Sequence, residues 1–221
     1  MHSLDFKNSP FVVGTLSSQD TFSILDDSLP CDALEVRFDL IGLPMPELLA
    51  ADALWQLPRP LIFTPRWQGE GGKLPNEGRL PLYEAVIDRV AAVDVEYRCE
   101  LRKEVAPLAR QHGVTPIISY HDFSATPPLA ELVAVVEEAT VLAGVAKIAA
   151  TVETPEDLAV LEELLAGDWD VPLCVIGMGS LGAATRFDFP LRGSCLTYGF
   201  IDSSAAPGQP HCRELSTHLG R

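Results

Sequence analysis

Lys147 is one of four lysines in the chain and the only one set in an apolar run, Ala143-Gly144-Val145-Ala146-Lys147-Ile148-Ala149-Ala150. Burial of an ammonium in such surroundings disfavours its charged form and leaves an amine able to attack a carbonyl carbon, which is how a Schiff-base lysine is made. The alternative is a strand-end lysine that carries its charge out to solvent. The rest of the sequence favours chemistry. His121 stands in Ser119-Tyr120-His121-Asp122-Phe123, at a predicted strand end, where an imidazole can take and return protons beside an imine. Glu35, Arg37 and Asp39 alternate along another predicted strand, which sets three ionised groups on one face. A purely structural core would carry Val or Leu there, and a buried ion-pair network costs too much desolvation to be kept without a role. Thr64-Pro65-Arg66, Asp94 and Glu96 add further polar groups at strand ends. Arg186 offers a planar fork suited to a carboxylate, and Gln209 an amide donor on a Pro-Gly turn. Neither turn has the density of glycines expected of a phosphate cradle.

These groups need a frame that brings them together. Short apolar or β-branched runs at residues 11–16, 33–40, 60–64, 93–97, 115–120, 145–149, 171–176 and 194–198 read as strands. Amphipathic stretches at 46–56, 82–92, 100–112, 129–142 and 155–165 read as helices between them, the last opened by a capped Thr154-Pro155-Glu156-Asp157 start. Eight strands in this alternation predict an α/β protein with the (β/α)8 TIM-barrel fold, in which the C-terminal strand ends converge on one face. An open doubly wound sheet would carry a Gly-rich turn after its first strand, where Gly14-Thr15-Leu16-Ser17-Ser18 stands instead. The 221 residues match one such barrel, so a single catalytic domain over residues 1–221 is expected, with no room for a second enzyme. Residues 67–79, rich in Gly, read either as a lid over the strand ends or as an ordinary surface excursion.

A formal net charge of −15 and the lack of a basic stripe argue against nucleic-acid or anionic-membrane surfaces. Five scattered cysteines without a Cys-x-x-Cys pair suggest neither a disulfide framework nor a zinc site, and reduced thiols fit a cytoplasmic protein. No apolar run reaches the length of a membrane span, and the N-terminus lacks a secretory pattern.

Six motifs occur in order: Glu35-x-Arg37-x-Asp39, Thr64-x-Arg66 followed by Glu70-Gly71-Gly72, Ser119-x-His121-Asp122-Phe123, Lys147-Ile148-Ala149, Met178-Gly179-x-x-Gly182-x-x-Thr185-Arg186 and Ala206-Pro207-Gly208-Gln209. In this order they resemble the type I 3-dehydroquinate dehydratase family over nearly the whole chain. The resemblance implies a class I aldolase-like barrel, usually a homodimer, that converts 3-dehydroquinate to 3-dehydroshikimate and water without metal or organic cofactor, in the shikimate pathway to chorismate and aromatic amino acids. It implies that Lys147 forms the imine and His121 moves protons, with Glu35 holding His121 or a substrate hydroxyl. Arg37 and Arg66 would bind hydroxyls, and Arg186 with Gln209 the carboxylate. Departures are Ala205 where the family commonly has a serine, which either weakens carboxylate binding by one hydrogen bond or is compensated by Ser203 or Ser204; Thr185 for serine; Ala149-Ala150 for Met-Pro; Thr15 for serine; and a short first crossover. A sugar-phosphate aldolase would share the lysine but need a phosphate site. An inactive barrel kept as a binding module would have no use for Lys147, His121 and three pocket arginines.

Overall fold

The computed structural model describes residues 4–6, 10–204 and 208–221. Among them lie eight strands: β1 Phe11–Leu16, β2 Ala33–Arg37, β3 Leu61–Thr64, β4 Ala92–Glu96, β5 Thr115–Asp122, β6 Val145–Thr151, β7 Leu173–Met178 and β8 Leu196–Phe200. All neighbouring pairs run parallel in the order β7-β6-β5-β4-β3-β2-β1-β8. The two outer strands approach each other through Cys195 N–H on the Leu173 carbonyl at 2.8 Å and Val175 N–H on Ser194 Oγ at 3.1 Å, so the barrel is nearly closed. The predicted (β/α)8 architecture is the one observed.

Each strand is buried on both faces, which is why it reads as an apolar run. Outward residues such as Leu34, Val36, Phe63, Val93, Val95, Ile118, Ile148 and Val175 pack against helical Leu48, Val86, Val105, Leu132, Val136, Leu161 and Leu164. At roughly 1.5–3 kcal/mol for each large apolar side chain removed from water, this shell supplies most of the driving force for folding. Inward residues change character along the barrel axis. Ala33, Ile62, Ala92, Ile117, Val145 and Leu196 form an apolar floor that Leu4 and Phe6 join. Two residues further along the same strands stand Glu35, Thr64, Asp94, Ser119, Lys147 and Tyr198. The lower half of the interior therefore stabilises, and the upper half holds ionisable groups.

Several elements differ from the sequence reading. The run at 33–40 stops as a strand at Arg37, and Phe38–Ile41 forms one helical turn ended by Gly42 at φ 78°. Asp39 thus leaves the inward face; it takes both Arg37 Nε and Nη2 at 2.9 Å. The seventh and eighth strands lie about two residues later than expected, because Pro172 and Ser194 sit at their entrances as hydrogen-bonding partners rather than ladder residues. The short first crossover is a 3-10 helix, Gln19–Ile24, in place of a full α-helix. The helix Pro155–Leu165 begins as predicted, with a reciprocal cap in which Asp157 N–H reaches Thr154 Oγ1 at 3.2 Å and Thr154 N–H reaches Asp157 Oδ2 at 2.9 Å.

Candidate active site

The C-terminal strand ends enclose a cavity of about 300 Å³. Lys147 rises into it from β6, 4% exposed. Along the strand its neighbours are apolar, as the sequence shows, but across the barrel it faces carboxylates: Nζ lies 2.9 Å from Asp94 Oδ2 and 3.7 Å from Glu35 Oε1. The Tyr198 ring lies beneath the ammonium, its centroid 4.1 Å from Nζ. The apolar run therefore describes the strand and not the surroundings of the amine.

Asp94 is fully buried and accepts from Ser119 Oγ at 2.6 Å, with Arg66 Nη1 at 2.9 Å. Burial opposes its charge, but Arg66 and Lys147 outweigh burial and hold the carboxyl well below the usual aspartate range. Arg66 also reaches Ser119 Oγ at 2.7 Å and Glu96 Oε1 at 3.2 Å, and these carboxylates keep its guanidinium charged despite burial. Glu35 accepts from Thr64 Oγ1 at 3.0 Å and from Thr15 Oγ1 at 3.4 Å. Gln209 Nε2 donates to Thr15 Oγ1 at 3.1 Å. Thr15 thus joins the first strand to the turn after the last.

His121 sits on β5, whose Ser119 is the register partner of Lys147. Its partner is Glu70 rather than Glu35: Glu70 Oε2 accepts the His121 backbone N–H at 2.9 Å and lies 3.0 Å from Nδ1. With one oxygen accepting from the backbone, the network assigns the ring proton to Nδ1 and leaves Nε2 basic. Burial, then Arg66 and Lys147, push His121 well below its ordinary value, so the ring rests uncharged. Burial raises Glu70 to about 7 against the pull of Arg66. Its Oε1 is buried without a hydrogen-bond partner. Residues 67–79 make this contact possible as a closed loop. Gln68 N–H meets the Leu74 carbonyl at 2.8 Å, Gly72 N–H meets the Trp67 carbonyl at 2.9 Å, and Gly71 turns at φ 79°. The sequence signal for Glu70 was its place in a glycine-rich loop one turn after Arg66, but nothing in the period of the strands names its partner.

Arg37 and Arg66 line the cavity, as do Arg186 and Gln209. Arg186 is 5% exposed, donates to the Tyr198 carbonyl at 3.3 Å, and is pushed down by burial to about 10 with no carboxylate among the charges acting on it. It is held by Thr185, whose hydroxyl donates to the Gly182 carbonyl at 2.7 Å and accepts Gly177 N–H at 2.8 Å. The Thr185 hydroxyl is thereby used within the turn. Ala149, Ile176 and Met178 form an apolar wall, and Phe123 stacks on His121 at 6.2 Å between ring centres. Ala205 and the Ala206-Pro207 step lie outside the described residues.

A pocket with a buried amine, a neutral imidazole on a carboxyl partner and an arginine with no carboxylate partner among the described residues suits a carboxylate-bearing ketone. The family model for type I 3-dehydroquinase matches residues 17–220. This chain belongs to the type I 3-dehydroquinase family. It is accordingly an enzyme of the hydro-lyase class. Among its relatives, the 3-dehydroquinate dehydratase of Methanothrix thermoacetophila is 35% identical over 216 residues, covering 96% of this chain and 91% of the relative. That of Methanococcoides burtonii is 36% identical over 193 residues, covering 83% and 82%. Among solved structures, type I 3-dehydroquinate dehydratase from Clostridium difficile with covalently modified comenic acid superposes with a TM-score of 0.87 at 26% identity, covering 99% of this chain and 96% of that one. Among the described residues no helix is long and apolar enough to cross a membrane.

Proposed function

We propose that the chain dehydrates 3-dehydroquinate to 3-dehydroshikimate through an imine on Lys147. The observation that supports this most is the pairing of a buried, carboxylate-faced amine with an uncharged His121 in one cavity that also holds Arg186. Arg186 and the Gln209 amide bind the substrate carboxylate, while Glu35, Arg37 and Arg66 meet its hydroxyls. Once Nζ has given up a proton it attacks the ketone, and loss of water from the carbinolamine leaves a protonated imine. The imine withdraws electrons from the adjacent C–H bond, and His121 Nε2 takes that proton as the electron pair moves into an enamine. The enamine expels the neighbouring hydroxyl, which leaves as water with the proton from His121. Hydrolysis of the imine frees the product and restores Lys147, so the sum is substrate to product plus one water. Glu70 keeps the imidazole in the tautomer that presents Nε2.

The proposal extends to one catalytic barrel over residues 1–221, acting as a cytoplasmic homodimer in aromatic biosynthesis. Conjugation of the product carbonyl with the new C=C bond gives it a strong short-wavelength ultraviolet absorbance that the substrate lacks. Growth of that absorbance on adding enzyme to 3-dehydroquinate tests the reading, and a flat trace with folded protein counts against it.

A further inference from the structure

Arg79 has the largest fully buried side chain by volume among the described residues, 1% exposed, and lies outside the cavity lining. Its contacts run in two directions. Nη1 donates to Glu96 Oε2 at 2.7 Å and to the Pro65 carbonyl at 3.0 Å. Nη2 donates to Asn76 Oδ1 and to Cys99 Sγ, each at 3.1 Å. One guanidinium therefore joins both ends of the loop that carries Glu70, at Pro65 and at its own position. Glu96, which it holds, spends the other oxygen on Trp67 N–H at 2.8 Å and on Arg66 Nη1 at 3.2 Å. Arg66 in turn holds Asp94, and Asp94 holds Lys147.

Charge makes this chain of contacts more than a brace. Glu35, Asp94 and Glu96 are balanced by Arg66, Arg79 and Lys147, with Glu70 as a fourth carboxyl in the same buried cluster. An uncompensated Glu96 would compete with Asp94 for Arg66, and desolvated carboxylates do not stay unpaired. We propose that Arg79 is a positioning residue for the dehydration: by neutralising Glu96 it keeps Arg66 on Asp94 and holds the 67–79 loop so that Glu70 meets His121.

The groups that face the Glu70–His121 pair are Arg66, Glu96 and Arg98 at Glu70, and Arg66, Lys147, Asp94 and Arg37 at His121. Removing the Arg79 charge leaves Glu96 as a net negative neighbour. That favours the protonated form of Glu70, which Glu96 faces, so the carboxylate that holds the His121 tautomer is lost at a higher pH.

The inference rests on the dehydratase reading, and steady-state kinetics of the full chain over pH 5–9 separate the two. With 3-dehydroquinate, Arg79→Met is expected to lower kcat by about 10²-fold and to change KM by under about threefold, because its effect is on proton transfer rather than on carboxylate binding. The acid limb of its kcat profile moves up by about half a pH unit or more. Arg79→Lys, which restores the charge without the fork, returns the limb toward the wild-type position while kcat recovers only in part. Cys99→Ala, which removes an outer contact of the same guanidinium, leaves limb and kcat as in wild type. Should Arg79→Met fail to fold, Arg79→Lys and Cys99→Ala decide by the same readings. A wild-type limb and kcat in Arg79→Met, or equal damage from Cys99→Ala, overturns the inference while leaving the dehydratase reading intact. Wild-type protein that does not turn over 3-dehydroquinate overturns both.

Discussion

At the residue scale, the division of labour between Glu70 and His121 gives separable predictions. On the proposed mechanism His121→Ala removes the proton carrier but not the amine, so kcat should fall by about 10²–10⁴ while a substrate adduct on Lys147 still forms. Kinetics and intact mass on one preparation check both halves, and loss of the adduct together with activity would deny His121 that role. Glu70 also makes a statement about stability. Its carboxyl is raised from 4.5 to about 7 by burial, so the native state favours the protonated form. The stability it lends is full below pH 4.5 and is lost as pH rises through about 7. Glu70→Gln is neutral at every pH, so its Tm relative to wild type should climb between about pH 5 and 8, and a difference that stays flat would argue against the raised value. Asp94 has the opposite sign. Its depressed carboxyl stabilises the fold above the ordinary aspartate range, near pH 4, and that contribution is lost as pH falls further. Lys147 was legible from its apolar run, Glu35 from the alternation of its strand, and Asp94 and His121 from their places in predicted strands and at their ends. Their pairings were not, since the partner of His121 comes from a loop and the surroundings of Lys147 come from across the barrel.

At the scale of elements, each site residue depends on a local device that holds its backbone. Thr185 ties the turn after β7 to the helix Thr185–Leu191 that carries Arg186, through Gly177 and Gly182. Thr185→Val removes that hydroxyl and, on the proposed carboxylate-binding role of Arg186, should raise KM by about tenfold with kcat less affected, because Arg186 shifts while the amine stays in place. An unchanged KM would remove Arg186 from substrate binding. Gly72 is a second such point, since a side chain there would strike the Arg66 carbonyl. Residues 67–79 had been open between lid and surface excursion. The hydrogen bonds from Gln68 and Gly72 show a folded loop whose observed contact is Glu70 on His121. The strands and the helix at 155–165 were legible because burial on two faces and a Thr-Pro-Glu-Asp cap leave local marks. The turn at Phe38–Ile41 was not, because Arg37-x-Asp39 continues the alternation of the strand while the chain has already bent to let the two side chains pair.

At the scale of the whole molecule, the barrel separates what stabilises from what reacts. The apolar floor and outer shell hold the fold, so Phe63→Ala, fully buried against Phe38 and Tyr83, should cost about 3–5 kcal/mol in chemical denaturation and leave KM nearly unchanged in the protein that remains folded. The upper interior carries Glu35, Glu70, Asp94, Glu96, Arg66 and Lys147 in a buried network whose desolvation cost is offset by mutual pairing. Such an arrangement is explained by chemistry rather than by stability. The measurement that bears most directly on it is mass spectrometry of the protein after borohydride reduction with 3-dehydroquinate, beside a Lys147→Ala control. A reduced adduct on the peptide containing Lys147, absent from the control, is the predicted result; folded, active protein that carries no adduct, or carries it on another lysine, would contradict the imine mechanism.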